Sequence, residues 1–249
     1  TAQELLLDIY QQDKNWNDAI DTAKKLATSD YSYHTEVAQF NCELAQESLI
    51  KSDNERSHKL INNALEINRK CVRANIILGE IYYSEEKYED AIQTWQLIEK
   101  QNYLYLPMVV EKIFDAYLRL NKAKEGLTLI KGYANLYPKL NLYDSCYQKL
   151  IDYDTPENTL EYLRAAIKNH SNSKLAALVI DLHLNHLSTN NNIAEIKPDI
   201  EGVKSLLLKY HEKLTSYRCG RCNFKAKTFF WQCPACYEWE SINPNNTEV

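Results

Sequence analysis

Four cysteines near the C-terminal end, Cys219, Cys222, Cys233 and Cys236, form two Cys-x-x-Cys pairs separated by ten residues. In each pair the chain can close a tight knuckle whose backbone N–H groups point back at sulfur. That favours thiolate and offers two ligands at about 2.3 Å from a metal ion. Two knuckles complete a tetrahedral shell for one ion per chain. A closed shell keeps no position for water or substrate, so the site is of the structural or electron-transfer type, not the hydrolytic type. Two disulfides or four free thiols are the alternative states of such a cluster. The remaining three of the seven cysteines, Cys42, Cys71 and Cys146, stand singly in helical-looking sequence, and an odd total with unpaired thiols fits a reducing compartment. Zn²⁺ and iron as Fe²⁺ or Fe³⁺ both suit a four-sulfur tetrahedron, with zinc expected for the isolated protein.

Arg218, Arg221, Lys225 and Lys227 stand close enough in sequence to offset part of the negative charge of four thiolates around a divalent ion. A unit spanning residues 216–249 buries too little apolar area to fold unaided. Metal ligation and the docking of Phe224, Phe229, Phe230, Trp231 and Trp239 must stabilise it. No Gly/Ser linker precedes Tyr217, so this small domain is expected to pack on the helices before it.

Those helices occupy residues 1–215. Apolar residues there follow helical spacing, broken by short polar turns such as Asp13-Lys14-Asn15 and Ser52-Asp53-Asn54. The clearest unit runs from Ala74 to Lys100 and carries Leu78-Gly79, Tyr82, Ala91, Trp95 and Ile98. Small residues at 79 and 91 let two helices approach closely, and Tyr82 and Trp95 fill the space beside the crossing. The same template takes Leu6, Tyr10, Ala19 and Ala23, then Leu44, Ala45, Ser57, Ile61 and Ala64. A fourth copy takes Ile113, Tyr117, Gly126, Ile130, Tyr133 and Pro138. Small residues of the second helix fall at 19, 57, 91 and 126, spaced by 38, 34 and 35 residues, close to the period of the tetratricopeptide repeat. Two weaker copies follow, one with Cys146, Leu150, Leu163 and Ala166, the other spanning 174–214 around a polar loop from Ser188 to Pro198. The expected architecture is all-α, a tetratricopeptide-repeat superhelical solenoid of about six hairpins, the last two degenerate, with the small metal domain at its C-terminal end.

A solenoid of this kind lines a concave groove with side chains of each hairpin's first helix. In the register above these include Gln39, Gln46, Arg73, Glu80, Tyr83, Glu111, Asp115, Asp144 and Gln148. The set is polar and leans acidic, which suits an extended or helical protein segment bearing Lys, Arg or amide groups.

Other chemistries are poorly served. A formal charge of −5 has the wrong sign for a phosphate backbone, which argues against nucleic acid. The five glycines are scattered at 79, 126, 132, 202 and 220, so no phosphate loop or nucleophile elbow forms. His183 and His186 lack a third ligand at matching spacing. The expectation is a protein that is not an enzyme. No apolar run is long enough to span a bilayer. The chain begins at Thr1 and its only methionine is Met108, so it is expected to be an internal or processed fragment.

Helical repeats followed by Tyr217-Arg218-Cys219-x-x-Cys222-Asn223-Phe224, an aromatic stretch ending at Trp231, Cys233-Pro234-x-Cys236 and Trp239 resemble the lipopolysaccharide assembly protein B family. That resemblance implies a rubredoxin-like, zinc-ribbon metal domain with Cys219, Cys222, Cys233 and Cys236 as ligands. It further implies anchoring in the bacterial inner membrane, facing the cytoplasm, by an N-terminal helix that would lie upstream of this fragment. The implied role is that of a non-enzymatic scaffold or adaptor with protein partners. It would promote degradation of the lipid A deacetylase by the FtsH-type membrane protease and gather other lipopolysaccharide assembly proteins. Asn223 and Tyr237 stand where knuckles often carry glycine, which bears on knuckle geometry. Two other roles fit the same residues: electron transfer through a rubredoxin-like iron, and a general peptide-binding co-chaperone. The acidic groove argues against the last, which needs a basic carboxylate clamp.

Overall fold

Six helices build the first unit, residues 1–105, as three antiparallel hairpins: α1 (Ala2–Gln12) with α2 (Trp16–Leu26), α3 (Tyr33–Ile50) with α4 (Asn54–Ile67), and α5 (Val72–Ser84) with α6 (Tyr88–Asn102). The structure is a computed structural model and describes residues 1–140, 142–169, 173–187, 197–244 and 247–248. The side chains of 143–146, 169, 186, 187, 214, 215, 247 and 248 are outside that description. The expected polar loop therefore lies almost wholly outside the described residues, as do the side chains of Asp144, Cys146 and His186.

Four turns between paired helices share one construction. Lys14, Ser52, Glu86 and Asn121 have φ of 53, 60, 60 and 58°. The next N–H then reaches back to a helical carbonyl at 2.9 Å, from Asn15 to Tyr10, Asp53 to Ser48, Lys87 to Tyr82 and Lys122 to Tyr117. This left-handed cap satisfies carbonyls that the helix end leaves open. Each cap residue precedes its small residue, Ala19, Ser57, Ala91 or Gly126, by the same five positions, so the sequence period recurs in the backbone.

The small positions do the packing expected of them. Ala19 and Ala91 are fully buried. Ser57 is also fully buried, and its hydroxyl donates to the Ala45 carbonyl at 3.0 Å, so a polar side chain occupies the crossing without an unmet hydrogen bond. Trp95 lies across Gly79 and donates from Nε1 to the Ile76 carbonyl at 3.1 Å. One inward assignment differs: Leu6 is 40% exposed, and its neighbour Leu7 is the buried residue of α1. Three consecutive leucines put apolar side chains on more than one face, so periodicity alone does not choose among them.

The second unit, residues 106–236 and 240–249, continues the hairpins. They are α7 (Val110–Arg119) with α8 (Ala123–Leu136), α9 (Leu142–Tyr153) with α10 (Pro156–Asn169), and α11 (Ser173–Leu182) with α12 (Lys197–Leu214). Gly126 lies under Phe114, where an added Cβ would come within 2.8 Å of the ring. In the two weaker copies Leu150 and Leu163 are buried as expected. Polar ties reinforce this region: Lys131 pairs with Asp154, Tyr147 donates to Asp181 at 2.9 Å, and Lys204 reaches the same carboxylate at 2.9 Å. The fold is all-α, made of tetratricopeptide-type hairpins, and ends in a small β-containing domain. No described helix is long and apolar enough to cross a membrane.

Candidate metal centre

Directly after α12 the chain turns into β1 (Thr215–Arg218), the middle strand of a small antiparallel sheet with β2 (Lys225–Ala226) and β3 (Thr247–Glu248). Tyr217 pairs with Ala226, and Arg218 with Lys225, so the sheet closes over the first knuckle and fixes where Cys219 leaves β1. Inside the knuckle the Cys219 N–H donates to the Phe224 carbonyl at 2.9 Å, and the Asn223 N–H to the Cys219 carbonyl at 3.1 Å. Asn223 and Tyr237, each following the second cysteine of its knuckle, have φ of 62 and 58°. The left-handed turn usually given to glycine is therefore made with side chains present, easily for asparagine and at greater cost for tyrosine.

The four sulfurs converge. All ligand atoms lie within 4.8 Å of one another, with Cys219 to Cys236 and Cys222 to Cys233 both at 3.7 Å. A tetrahedron with metal–sulfur bonds of about 2.3 Å has edges of about 3.8 Å, so this spacing fits a single ion at the centre. It is far too long for disulfide bonds. Cys219 and Cys233 are buried, Cys236 is half-buried and Cys222 is exposed. Among the described residues no other group of His, Cys, Asp or Glu offers such a cage.

The environment prepares one thiolate, that of Cys219, and opposes two others, those of Cys222 and Cys236. Burial works against ionisation of Cys219, but hydrogen bonds from the Ser241 hydroxyl and from the Cys222 and Arg221 N–H groups outweigh it and lower this thiol to about 6. Ser241 Oγ stands 3.3 Å from that sulfur and the Arg221 nitrogen 3.4 Å. At Cys222 an N–H from Phe224 favours the thiolate, yet burial and three neighbouring sulfurs dominate and push it up to about 12. Cys236 is raised as well, chiefly by burial. Such a cage carries several thiolates only around a cation.

A compact apolar shell holds the sulfurs. Ile242 is buried against Cys219 and Cys233, with Tyr217, Phe224 and Phe229 around them. Phe229 packs edge-on against Tyr217 and Trp231, at 5.9 and 5.1 Å between centroids. Phe230, expected to dock, is 39% exposed. Lys227 extends to the end of α12, donating to the carbonyls of Glu212 at 2.6 Å and Lys213 at 3.1 Å. It caps that helix, and the domain is tied to α12 as expected from the missing linker.

The expected groove residues meet different fates. In the first unit Gln39 and Arg73 are buried and joined, Arg73 donating to Gln39 at 3.4 Å, to Glu43 at 2.8 Å and to Gln46 at 2.9 Å. Gln46 is exposed, and Glu80 and Tyr83 are half-buried, the Tyr83 ring lying 5.2 Å from Tyr88 and 6.1 Å from Trp95. In the second unit Lys149 pairs with Asp115 and approaches Glu111 at 3.6 Å, so one positive charge offsets part of the acidic character expected there. Gln148 is exposed and donates to Asp152 at 3.2 Å. Glu43, Phe40 and Gln11 escaped the sequence reading, because a template places side chains by face and does not show which of them meet.

Residues 217–244 match the rubredoxin metal binding domain family. Along the whole chain, lipopolysaccharide assembly protein B of Escherichia coli (strain K12) is 24% identical over 248 residues, which is 98% of this chain and 62% of that protein. The same protein of Haemophilus influenzae is 26% identical over 250 residues, 98% of this chain and 60% of its own length. The chain thus spans about three-fifths of the relatives it matches. Among solved structures, YrrB, a TPR protein with an unusual peptide-binding site, is 14% identical with a TM-score of 0.41, over 75% of this chain and 96% of that one. Along nearly its whole length the chain resembles the lipopolysaccharide assembly protein B family, and its residues 217–244 match the rubredoxin metal binding domain.

Proposed function

We propose that this protein is a non-enzymatic scaffold in lipopolysaccharide assembly, working at the cytoplasmic face of the bacterial inner membrane and tethered by sequence upstream of Thr1. One observation carries the reading: the four-sulfur cage, whose spacing leaves no open coordination position, closes a hairpin array of the kind that holds protein segments. The similarity over 98% of the chain to proteins named for lipopolysaccharide assembly supplies the process. On this reading the array gathers the lipid A deacetylase and the FtsH-type membrane protease and so sets how fast the deacetylase is degraded. Cys219, Cys222, Cys233 and Cys236 would hold one Zn²⁺ or iron ion, which supplies rigidity to a domain too small to fold alone.

The test is the half-life of the deacetylase in cells whose full-length scaffold carries Cys219→Ser, at matched scaffold levels. A longer half-life and excess lipopolysaccharide are expected; an unchanged half-life rejects the adaptor role. The exposure of Cys222 favours a second reading, electron transfer through an iron-loaded site with an accessible edge. That reading requires reversible one-electron chemistry of the iron-loaded protein and leaves deacetylase turnover untouched.

A further inference from the structure

Helix α12 has two faces of different character. Ile200, Lys204, Leu207, Leu208 and His211 are half-buried, and Lys204 ties this inner face to Asp181 of α11. On the opposite face Val203, Leu206 and Tyr210 are 50, 67 and 57% exposed. Their spacing of three and four residues stacks them into one apolar stripe along the helix. A contiguous stripe of large apolar side chains marks an interaction surface, whereas single exposed ones do not.

Charge and symmetry say what covers it. Asp199 and Lys213 lie seven positions before and after Leu206, and both are exposed. Seven residues make nearly two turns at about 3.6 residues per turn, so both stand almost in line with Leu206. A second α12 laid antiparallel on the first, about a two-fold axis at Leu206, sets Leu206 against Leu206. Asp199 of each copy then faces Lys213 of the other. Val203 and Tyr210 lie on the same side of the stripe, three and four positions from the axis, so each Val203 takes the other copy's Tyr210 at a level differing by about 1.5 Å. Gly202 lies on the other side, where an added Cβ would meet nothing within 4 Å, and leaves room for the Lys209 stem of the other copy. A parallel pairing would set Asp199 against Asp199 and Lys213 against Lys213, so the charges select the antiparallel direction.

We infer that this face of α12 is a two-fold self-association surface whose occupant is α12 of a second copy of this chain. In such an interface every contact occurs twice, so the Val203–Tyr210 contact and the Asp199–Lys213 pair each count double around the central leucines. The inference goes beyond the scaffold reading, because it joins two hairpin arrays whatever process they serve. One helix pair of 18 residues per copy buries less than the roughly 1,600 Å² of a standard interface, so micromolar affinity is expected.

Sedimentation equilibrium of the zinc-loaded chain, from about 5 to 500 μM, spans that range. A monomer–dimer equilibrium is expected. Leu206→Glu sets two carboxylates against each other and is expected to weaken the dimer at least about tenfold, with the far-UV circular dichroism unchanged because the residue is exposed. Asp199→Lys and Lys213→Asp each create two like-charge contacts and are each expected to weaken self-association several-fold. An equimolar mixture of these two variants is expected to dimerise as well as the wild type, since every contact is again between opposite charges. A chain that stays monomeric throughout, a dimer indifferent to Leu206→Glu, or a mixture no better than the single variants overturns the inference. So does a monomeric chain that co-sediments with phosphatidylethanolamine–phosphatidylglycerol vesicles and loses this with Leu206→Glu, because a membrane surface is then the occupant.

Discussion

Gly79 presents its bare Cα to the indole of Trp95, so closely that a Cβ there would lie 2.2 Å from Nε1 and 2.5 Å from Cε2. Trp95 is 1% exposed and its N–H is bound to the Ile76 carbonyl, so the ring has little room to retreat. Gly79→Ala gains helix propensity of about 1 kcal/mol, yet it must displace the largest side chain in the hairpin. The net expectation is a destabilisation of about 1–3 kcal/mol, and more if the indole hydrogen bond breaks. Urea unfolding followed by far-UV circular dichroism checks it; a stabilised variant would show that helix propensity, not the α5–α6 approach, governs this position.

Protons and the metal compete for the same sulfurs. Cys222 and Cys236 hold their protons above the usual thiol range in the metal-free cage, whereas Cys219 has lost its proton above about 6. Binding an ion near pH 7 must therefore expel at least two protons, so lowering the pH weakens binding by about a hundredfold per unit. Below pH 6 the proton on Cys219 adds a third competitor and steepens the fall. Zinc content after dialysis at graded pH, with proton release followed on zinc addition in weak buffer, measures both quantities. Release of fewer than two protons at pH 7 would refute this account of the cage.

Asn223 sustains the first knuckle at φ 62°, and its N–H bonds the Cys219 carbonyl at 3.1 Å. Asn223→Gly keeps that conformation accessible and should leave zinc affinity within a few-fold. Asn223→Val puts a β-branched side chain where the left-handed region is most hostile, at a cost of about 2 kcal/mol, or a loss of more than about tenfold in affinity. Competition with a chromophoric chelator distinguishes the two. Equal affinity for both variants would mean that the turn relaxes out of the left-handed region.

Much of this protein was legible before any coordinates. Cysteine spacing is a local property, and two knuckles need only a few residues of backbone each to aim their sulfurs, so the convergence of the four sulfurs was legible in the order of residues in the chain. The hairpin period followed for a similar reason: small residues at 19, 57, 91 and 126 recur because each hairpin meets its neighbour in the same way. What escaped was every relationship made across the chain. Arg73 is a surface residue by type and was assigned to an open groove, but Glu43, Gln46 and Gln39 from the adjacent hairpin surround it, and it is 4% exposed. That Trp239 docks is an expectation of the sequence, but its seat is not: the ring rests against residues more than 160 positions earlier, Gln11, Phe40 and Arg73. A side chain's neighbours on its own helix are set by a fixed geometry of about 3.6 residues per turn. Its neighbours on other elements depend on how those elements pack, and only the tertiary structure decides that.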